Sequence, residues 1–213
     1  VDDLYSLTRL EYDVFSHCVS LISVDCSDKL TAIGSSAFFG CKALVSIGDL
    51  SNVTSIESSV FRGCIALKSI GNMPKLESIG MQCFMGCTAL ETVGDLSSLK
   101  EIPSETFDGC TSLVSIGDLS NVTIIGSYGF NQCKKLTSIP NLGSLERVDQ
   151  FAFSGCESLA LLGNLRKLTS FGNSPFVNSP FHNCPNLVLE VLPDSAAEQY
   201  AKDYNMQYTY ITE

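Results

Sequence analysis

Eight cysteines divide the chain at a nearly constant interval, and this regularity limits its fold more than any other feature. Six successive gaps between them measure 23 residues and the last gap measures 28. Each cysteine follows a phenylalanine by three residues and precedes a leucine by three. The eight are Cys18, Cys41, Cys64, Cys87, Cys110, Cys133, Cys156 and Cys184. A fixed period of this size is typical of a solenoid, in which each coil buries its apolar face against its neighbours.

Within one repeat the apolar residues stand mostly three positions apart, as in Leu44, Ile47, Leu50, Val53 and Ile56. This spacing follows neither the 3.6-residue period of a helix nor the two-residue alternation of a flat strand. We expect two short extended pieces in each coil, at residues 44–47 and 53–56 in this example. Stacked coils would pair them as two parallel ladders.

Two columns of equivalent residues mark a turn after the first extended piece. Glycine predicts a tight bend with an unusual backbone angle, although Pro140 shows that this angle is not obligatory. The following aspartates and asparagines predict side chains that close the turn by bonding to nearby backbone N–H groups. A row of metal ligands is the alternative for this second column. The first column is Gly48, Gly71, Gly94, Gly117, Pro140 and Gly163, and the second is Asp49, Asn72, Asp95, Asp118, Asn141 and Asn164.

The segments Ile33-Gly-Ser-Ser-Ala37-Phe38-Phe-Gly-Cys41 and Ile79-Gly-Met-Gln-Cys-Phe84-Met-Gly-Cys87 share one pattern. Over about residues 4–192 the chain resembles the BspA-like branch of leucine-rich repeat proteins. The resemblance implies an α/β repeat that is mostly β, a right-handed solenoid of about eight coils. It also implies a secreted or surface-attached protein, mostly of host-associated bacteria, with a role in adhesion and protein binding. The family often has proline after the first strand, whereas most coils here have Ile-Gly-Asp-Leu.

The cysteines stand at inward positions between phenylalanine and leucine, where a free thiol behaves as a small buried hydrophobe. Buried free thiols are therefore the favoured interpretation, with disulfides between coils and a metal site as alternatives. Two cysteines lie off the column. Cys83 takes a small position before Phe84, and Cys26 takes the Asp/Asn turn position, where we expect it to be the more exposed and more easily oxidised of the two.

The repeat breaks at residues 171–180, which carry five extra residues and should form a loop. Residues 187–192 read as a last strand. Residues 194–204 read as a helix that Asp194 or Ser195 caps and Asn205 ends. We expect residues 1–213 to be one leucine-rich-repeat domain, with coils over about residues 1–192 and a strand-helix cap over about residues 187–213. Because Val1 enters a repeat partway through, we also expect residues to be missing before it.

Composition and motifs exclude several functions. A net charge of −10 argues against nucleic acid as a partner, and the absence of a run of about 18 apolar residues argues against membrane insertion. No known catalytic motif is present, so we expect no enzyme, no cofactor, no catalytic residues and no metal ligands. The alternative is a parallel β-helix enzyme that acts on polysaccharide. It would need clustered carboxylates, for which Asp95 and Asp118 are the only candidates.

Two outward columns carry the candidate binding residues. The position two before the core phenylalanine is mostly small or polar, but it becomes aromatic at Tyr128 and Phe151, and such residues often anchor interfaces. The alternative is that they only pack over the adjacent loop. The second residue of the first extended piece mixes apolar and charged side chains, as in Val45, Lys68, Glu91, Val114 and Thr137. We therefore predict a monomeric protein that binds an extracellular or host protein. The alternative is a spacer within a larger surface protein.

Overall fold

Each coil contributes two very short strands, which stack along the molecule in two parallel ladders. The computed structural model describes residues 6–172 and 179–212 and has a leucine-rich-repeat fold of about nine turns. Both ladders were predicted and are confirmed, but the strands are shorter than the predicted four-residue pieces. In most strands the second residue is buried and the first is more exposed.

Ladder A is formed by the odd-numbered strands, except the last strand of the chain. Ladder B is formed by the even-numbered strands together with that last strand. Ladder A contains β1 (Arg9–Leu10), β3 (Ala32–Ile33), β5 (Ser55–Ile56), β7 (Ser78–Ile79), β9 (Glu101–Ile102), β11 (Ile124–Ile125), β13 (Arg147–Val148) and β15 (Ser170–Phe171). Ladder B contains β2 (Ser23–Val24), β4 (Ser46–Ile47), β6 (Ser69–Ile70), β8 (Thr92–Val93), β10 (Ser115–Ile116), β12 (Ser138–Ile139), β14 (Leu161–Leu162), β16 (Val188–Val191) and β17 (Gln207–Tyr210).

Two prolines interrupt the ladders. In other coils the residue after the ladder A strand donates its backbone N–H to the preceding coil, as Gly80 donates to Ile56. Pro103 has no N–H to donate at this position, and the pairing of ladder A stops between β7 and β9. Pro140 has the same effect in ladder B between β10 and β12. Ladder B is also unpaired between β4 and β6, where Gly71 rather than proline follows the strand. The sequence analysis did not anticipate these breaks.

The core is a column of phenylalanine rings that runs along the solenoid. From Phe15 to Phe153 successive rings stack with centroids 5.1 to 5.4 Å apart. Buried leucines, isoleucines and valines from both ladders surround this column. Because each ring contacts the equivalent ring of the next coil, the 23-residue period of the sequence becomes a continuous apolar interior.

The column that begins with Gly48 does not need an unusual backbone angle, so that prediction is wrong. Its glycines lie outside the left-handed region, and four of them are required because the neighbouring coil is close. A Cβ added to Gly117 would lie only 2.2 Å from the carbonyl oxygen of Gly94. The left-handed glycines belong to another column, which precedes the cysteines: Gly40, Gly63, Gly86, Gly109 and Gly155.

The C-terminal cap agrees with its prediction. Helix α1 (Ala196–Asp203) begins after Ser195, whose hydroxyl accepts a bond from the Glu198 N–H at 3.2 Å. Ala197 and Tyr200 are buried against the last coil, as expected. Strand β17, which pairs with β16, was not predicted. Most of the loop predicted at residues 171–180 lies outside the described residues, and the single-domain assignment stays a prediction.

Candidate binding surface

One column of partly exposed corner residues has a left-handed backbone in every coil from Ser36 to Phe151. Their φ angles lie between 55° and 60°. The conformation arises from a turn in which Tyr128 donates its N–H to Gln150 of the next coil and accepts a bond from the Asn131 N–H. Residues other than glycine adopt such angles infrequently, and bulky residues rarely do. We call this column the corner column: Ser36, Ser59, Gln82, Glu105, Tyr128 and Phe151.

Tyr128 and Phe151 form an aromatic pair on this corner. Their ring centroids lie 5.1 Å apart and the ring planes differ by 21°. Tyr128 is 37% exposed and Phe151 is partly buried. The structure therefore brings the two predicted aromatic residues together, with part of the tyrosine surface open to solvent.

Polar side chains lead along the corner column to the aromatic pair. Arg62 donates to Gln82 at 2.8 Å, and Gln82 donates in turn to Glu105 at 2.9 Å. Next to Glu105, the Asp108 carboxylate accepts a bond from the Asn131 amide at 2.7 Å. Burial, and secondarily the charge of Glu105, raises the pKa of Asp108, while the Asn131 bond lowers it. The sequence analysis missed Asp108 and Asn131, although a comparison of residues at their repeat position would have found them.

The second predicted column lies on ladder B. Lys68, Glu91, Val114 and Thr137 are exposed and Val45 is half-buried. Backbone bonds between coils join them in order, for example from Glu91 N–H to Lys68 O at 2.8 Å. This column enters ladder B, whereas the aromatic pair follows ladder A on another side of the coil. The seven candidate residues thus occupy two separate surfaces.

The cysteine column forms a ladder of thiol hydrogen bonds. From Cys41 onward each thiol donates to the carbonyl oxygen of a phenylalanine in the preceding coil, for example from Cys64 to Phe38 at 3.1 Å and from Cys110 to Phe84 at 3.2 Å. Burial raises the pKa of Cys64 to about 12 and the pKa of Cys110 well above its ordinary value. These inner thiols are buried, as predicted. A thiol that stays protonated is a poor nucleophile and metal ligand.

Three cysteines near the ends of the column or outside it behave differently. Cys18 is exposed, so the predicted inward position is wrong for the first coil, where no coil among the described residues covers it. Cys184 is half-buried. Cys26 is more exposed than Cys83, as predicted, but burial raises its pKa to about 11, which opposes the reactivity expected for it.

The aspartates proposed as carboxylate ligands or catalysts close turns instead. Asp95 accepts a bond from the Ser97 N–H and Asp118 from the Ser120 N–H, both at 2.8 Å. This confirms the turn interpretation. Over residues 6–172 and 179–212, no group of three or more histidine, cysteine or acidic side chains is arranged to hold a metal ion.

Surface cavities open beside the proline breaks. One of about 250 Å³ lies at Pro140 and is lined by Ile116, Asp118 and Asn141 among others. Another, of about 430 Å³, is lined by Glu77 and Lys100, which directly precede β7 and β9. The residues that line these two cavities do not include the aromatic pair. In the described part of the chain, no helix is long and apolar enough to cross a membrane.

Comparisons with known proteins agree with this fold. A sequence model of the BspA type leucine rich repeat region matches residues 4–102 and 77–187, with six copies. No curated protein is significantly similar to the chain. Several solved structures are similar, all at identities that show the fold alone.

A leucine-rich repeat protein from Eubacterium ventriosum has a TM-score of 0.64 and 24% identity over 76% of this chain and 47% of its own. This chain thus spans about half the length of that protein. The Treponema pallidum leucine rich repeat protein has a TM-score of 0.57 and 24% identity over 100% and 83%. A leucine-rich repeat protein from Bacteroides ovatus has a TM-score of 0.51 and 22% identity over 98% and 76%.

Proposed function

The chain belongs to the BspA-type leucine-rich repeat family, and we propose that it is a non-enzymatic scaffold, secreted or held at the cell surface, that binds another protein. The observation that carries this proposal is the partly exposed aromatic pair, Tyr128 and Phe151, on a corner that is polar in the other coils. Aromatic residues supply large, rigid contact area and dominate many interfaces.

The scaffold supports such a role because it is stiff. Backbone hydrogen bonds join successive coils at the corner and, except where the strand pairing is interrupted, at the ladders, and the ring column fills the interior. A side chain on the corner is therefore held in place before it meets a partner, so little conformational entropy is lost on binding.

A binding screen tests the proposal. The folded chain would be immobilised and exposed to a panel of extracellular-matrix proteins and surface glycans, with biolayer interferometry as the readout. The decisive variant is Tyr128→Ser/Phe151→Ser. Serine occupies the same left-handed position at Ser36 and Ser59, so this variant should keep the fold. Saturable binding to a protein that the variant loses is the expected result.

Two further variants separate the candidate surfaces. Lys68→Ala/Glu91→Ala leaves the net charge unchanged and removes side chains from the ladder B column; lost binding here would move the site to that column. Ser58→Ala/Ser104→Ala is the matched control, since both serines lie beside the corner column and carry no side-chain bond to other described residues. We expect it to bind as the original chain does.

A spacer is the second candidate function. It is favoured by the regular ladders, which continue over most of the described chain, and by the greater length of the Eubacterium ventriosum protein. A correctly folded chain that binds no protein and no glycan in the screen would support the spacer and contradict the binding scaffold.

A further inference from the structure

We propose that the aromatic pair and the carboxylates beside it bind a basic segment of the partner, with an arginine side chain stacked on Tyr128 and paired with Glu105 or Asp108. This inference rests on the proposed function and names the chemistry of the partner. It starts from the charge distribution around the corner column.

The three corners around the aromatic pair together carry acidic side chains and no basic ones. Residues 103–109, 126–132 and 149–155 contain three carboxylates, Glu105, Asp108 and Asp149, and no lysine or arginine. Asp149 is paired with Arg147, at 3.2 Å. Among the ion pairs of the described residues, none involves Glu105 or Asp108. Two negative charges therefore lie next to the aromatic rings, and no cation of residues 6–172 or 179–212 forms an ion pair with them.

Glu105 and Asp108 lie close to the aromatic pair because adjacent coils are bonded together. The Glu105 N–H donates to Ser127, the neighbour of Tyr128, at 2.9 Å, and the Gly109 N–H donates to Asn131 at 2.9 Å. Each carboxylate is already oriented by an amide, from Gln82 or Asn131. An ionised carboxylate accepts several hydrogen bonds, so each retains acceptor sites for a ligand.

Arginine fits this arrangement better than lysine does. Its planar guanidinium stacks on an aromatic face and offers paired donors to a carboxylate at the same time. The electron-rich face of an aromatic ring attracts a cation as well. Because Asp108 is partly buried, its attraction for a cation is screened less than that of a fully exposed carboxylate. Charge complementarity thus selects a basic segment over an acidic or neutral one.

Fluorescence anisotropy with two labelled peptides, nona-arginine and nona-lysine, tests this inference at physiological salt. The protein carries a net charge of −10, so any cationic peptide has some affinity for it, and charge-matched variants are needed. Tyr128→Ser/Phe151→Ser keeps the net charge and should weaken nona-arginine binding about tenfold. The preference for nona-arginine over nona-lysine should disappear in this variant.

The carboxylate is tested with a pair of substitutions that change the net charge equally. Glu105→Gln should weaken nona-arginine binding about threefold. Glu146→Gln, at an exposed glutamate without an ion pair on the ladder A side, should have little effect. Thermal unfolding of every variant would verify that the fold is retained.

Equal affinity of all variants for nona-arginine would overturn the inference, since binding would then reflect the overall charge. If the matrix-protein screen shows binding that needs Tyr128 and Phe151 while nona-arginine does not distinguish the variants, the basic segment is wrong and the proposed function stands. Binding of a neutral glycan that the aromatic variant loses, again without discrimination by nona-arginine, would replace the basic segment with a saccharide.

Discussion

Alanine at Gly117 and alanine at Gly71 should change stability in opposite directions, although both glycines belong to one column. At Gly117 the added Cβ would lie 2.2 Å from the Gly94 carbonyl oxygen and 2.8 Å from the Asp95 Cα. The coils must separate locally by about 1 Å, and such overpacking costs about 1–3 kcal/mol. Alanine also restricts the unfolded chain, which alone stabilises the fold by about 0.4–1 kcal/mol. We therefore expect a net loss of about 1–2 kcal/mol.

At Gly71 no atom lies within 4 Å of the added Cβ. Only the effect on the unfolded chain remains, so Gly71→Ala should stabilise the protein by about 0.4–1 kcal/mol. Urea unfolding of the two variants and the original chain measures both differences, provided that the slopes with urea agree. A neutral or stabilising Gly117→Ala, or a Gly71→Ala as harmful as Gly117→Ala, would refute the close-approach explanation.

Three further predictions concern the thiols, the ring column and the cap. Ellman's reagent should modify the exposed Cys18 first and reach the buried thiols only after unfolding; rapid reaction of most of the cysteines would contradict this. In urea unfolding of the 213-residue chain, Phe107→Ala should cost about 3–5 kcal/mol. Phe15→Ala should cost clearly less, because Phe15 is half-buried and stacks on one equivalent ring. Hydrogen bonds, foremost from Tyr210, lower the pKa of Glu198 to about 2. Ionised Glu198 therefore stabilises the folded state fully above its ordinary pKa, and this stabilisation is lost as the pH falls toward 2. In thermal unfolding, the Glu198→Gln variant should lose less stability on acidification than the original chain does.

The period of the sequence was sufficient to predict which residues form the interior and where both ladders run. A 23-residue interval places Phe84 over Phe61 and Ile79 over Ile56, and that placement follows from the spacing alone. The length of each strand did not follow, because it depends on which backbone groups of adjacent coils bond. Pro103 illustrates this limit. The sequence shows that a proline stands there, but its missing N–H interrupts ladder A only because the preceding coil would have accepted that hydrogen bond.

The glycine column shows a different limit. Glycine is used where the backbone angle is unusual and also where another backbone is close, and a sequence does not separate these reasons. The angle was predicted for Gly48, whereas the structure shows close approach to Cys26, with 2.5 Å between an added Cβ and the Cys26 nitrogen. Similarly, the aromatic pair was visible as an exception within a polar column, but Asp108 became part of the candidate surface only when the coils were placed side by side.

In a solenoid of this kind, function is read most directly from residues that the scaffold does not require. Inward columns repeat because every coil needs the same core. The corner column needs only a residue that tolerates a left-handed backbone, and Ser36 and Ser59 meet that need. Tyr128 and Phe151 fill no core position of the repeat, and bulky side chains with φ of 59° and 55° carry strain of about 1 kcal/mol or more each. Serine at both positions should therefore leave the solenoid at least nearly as stable in urea unfolding while it abolishes the proposed binding, and a large loss of stability would assign the aromatic pair to folding.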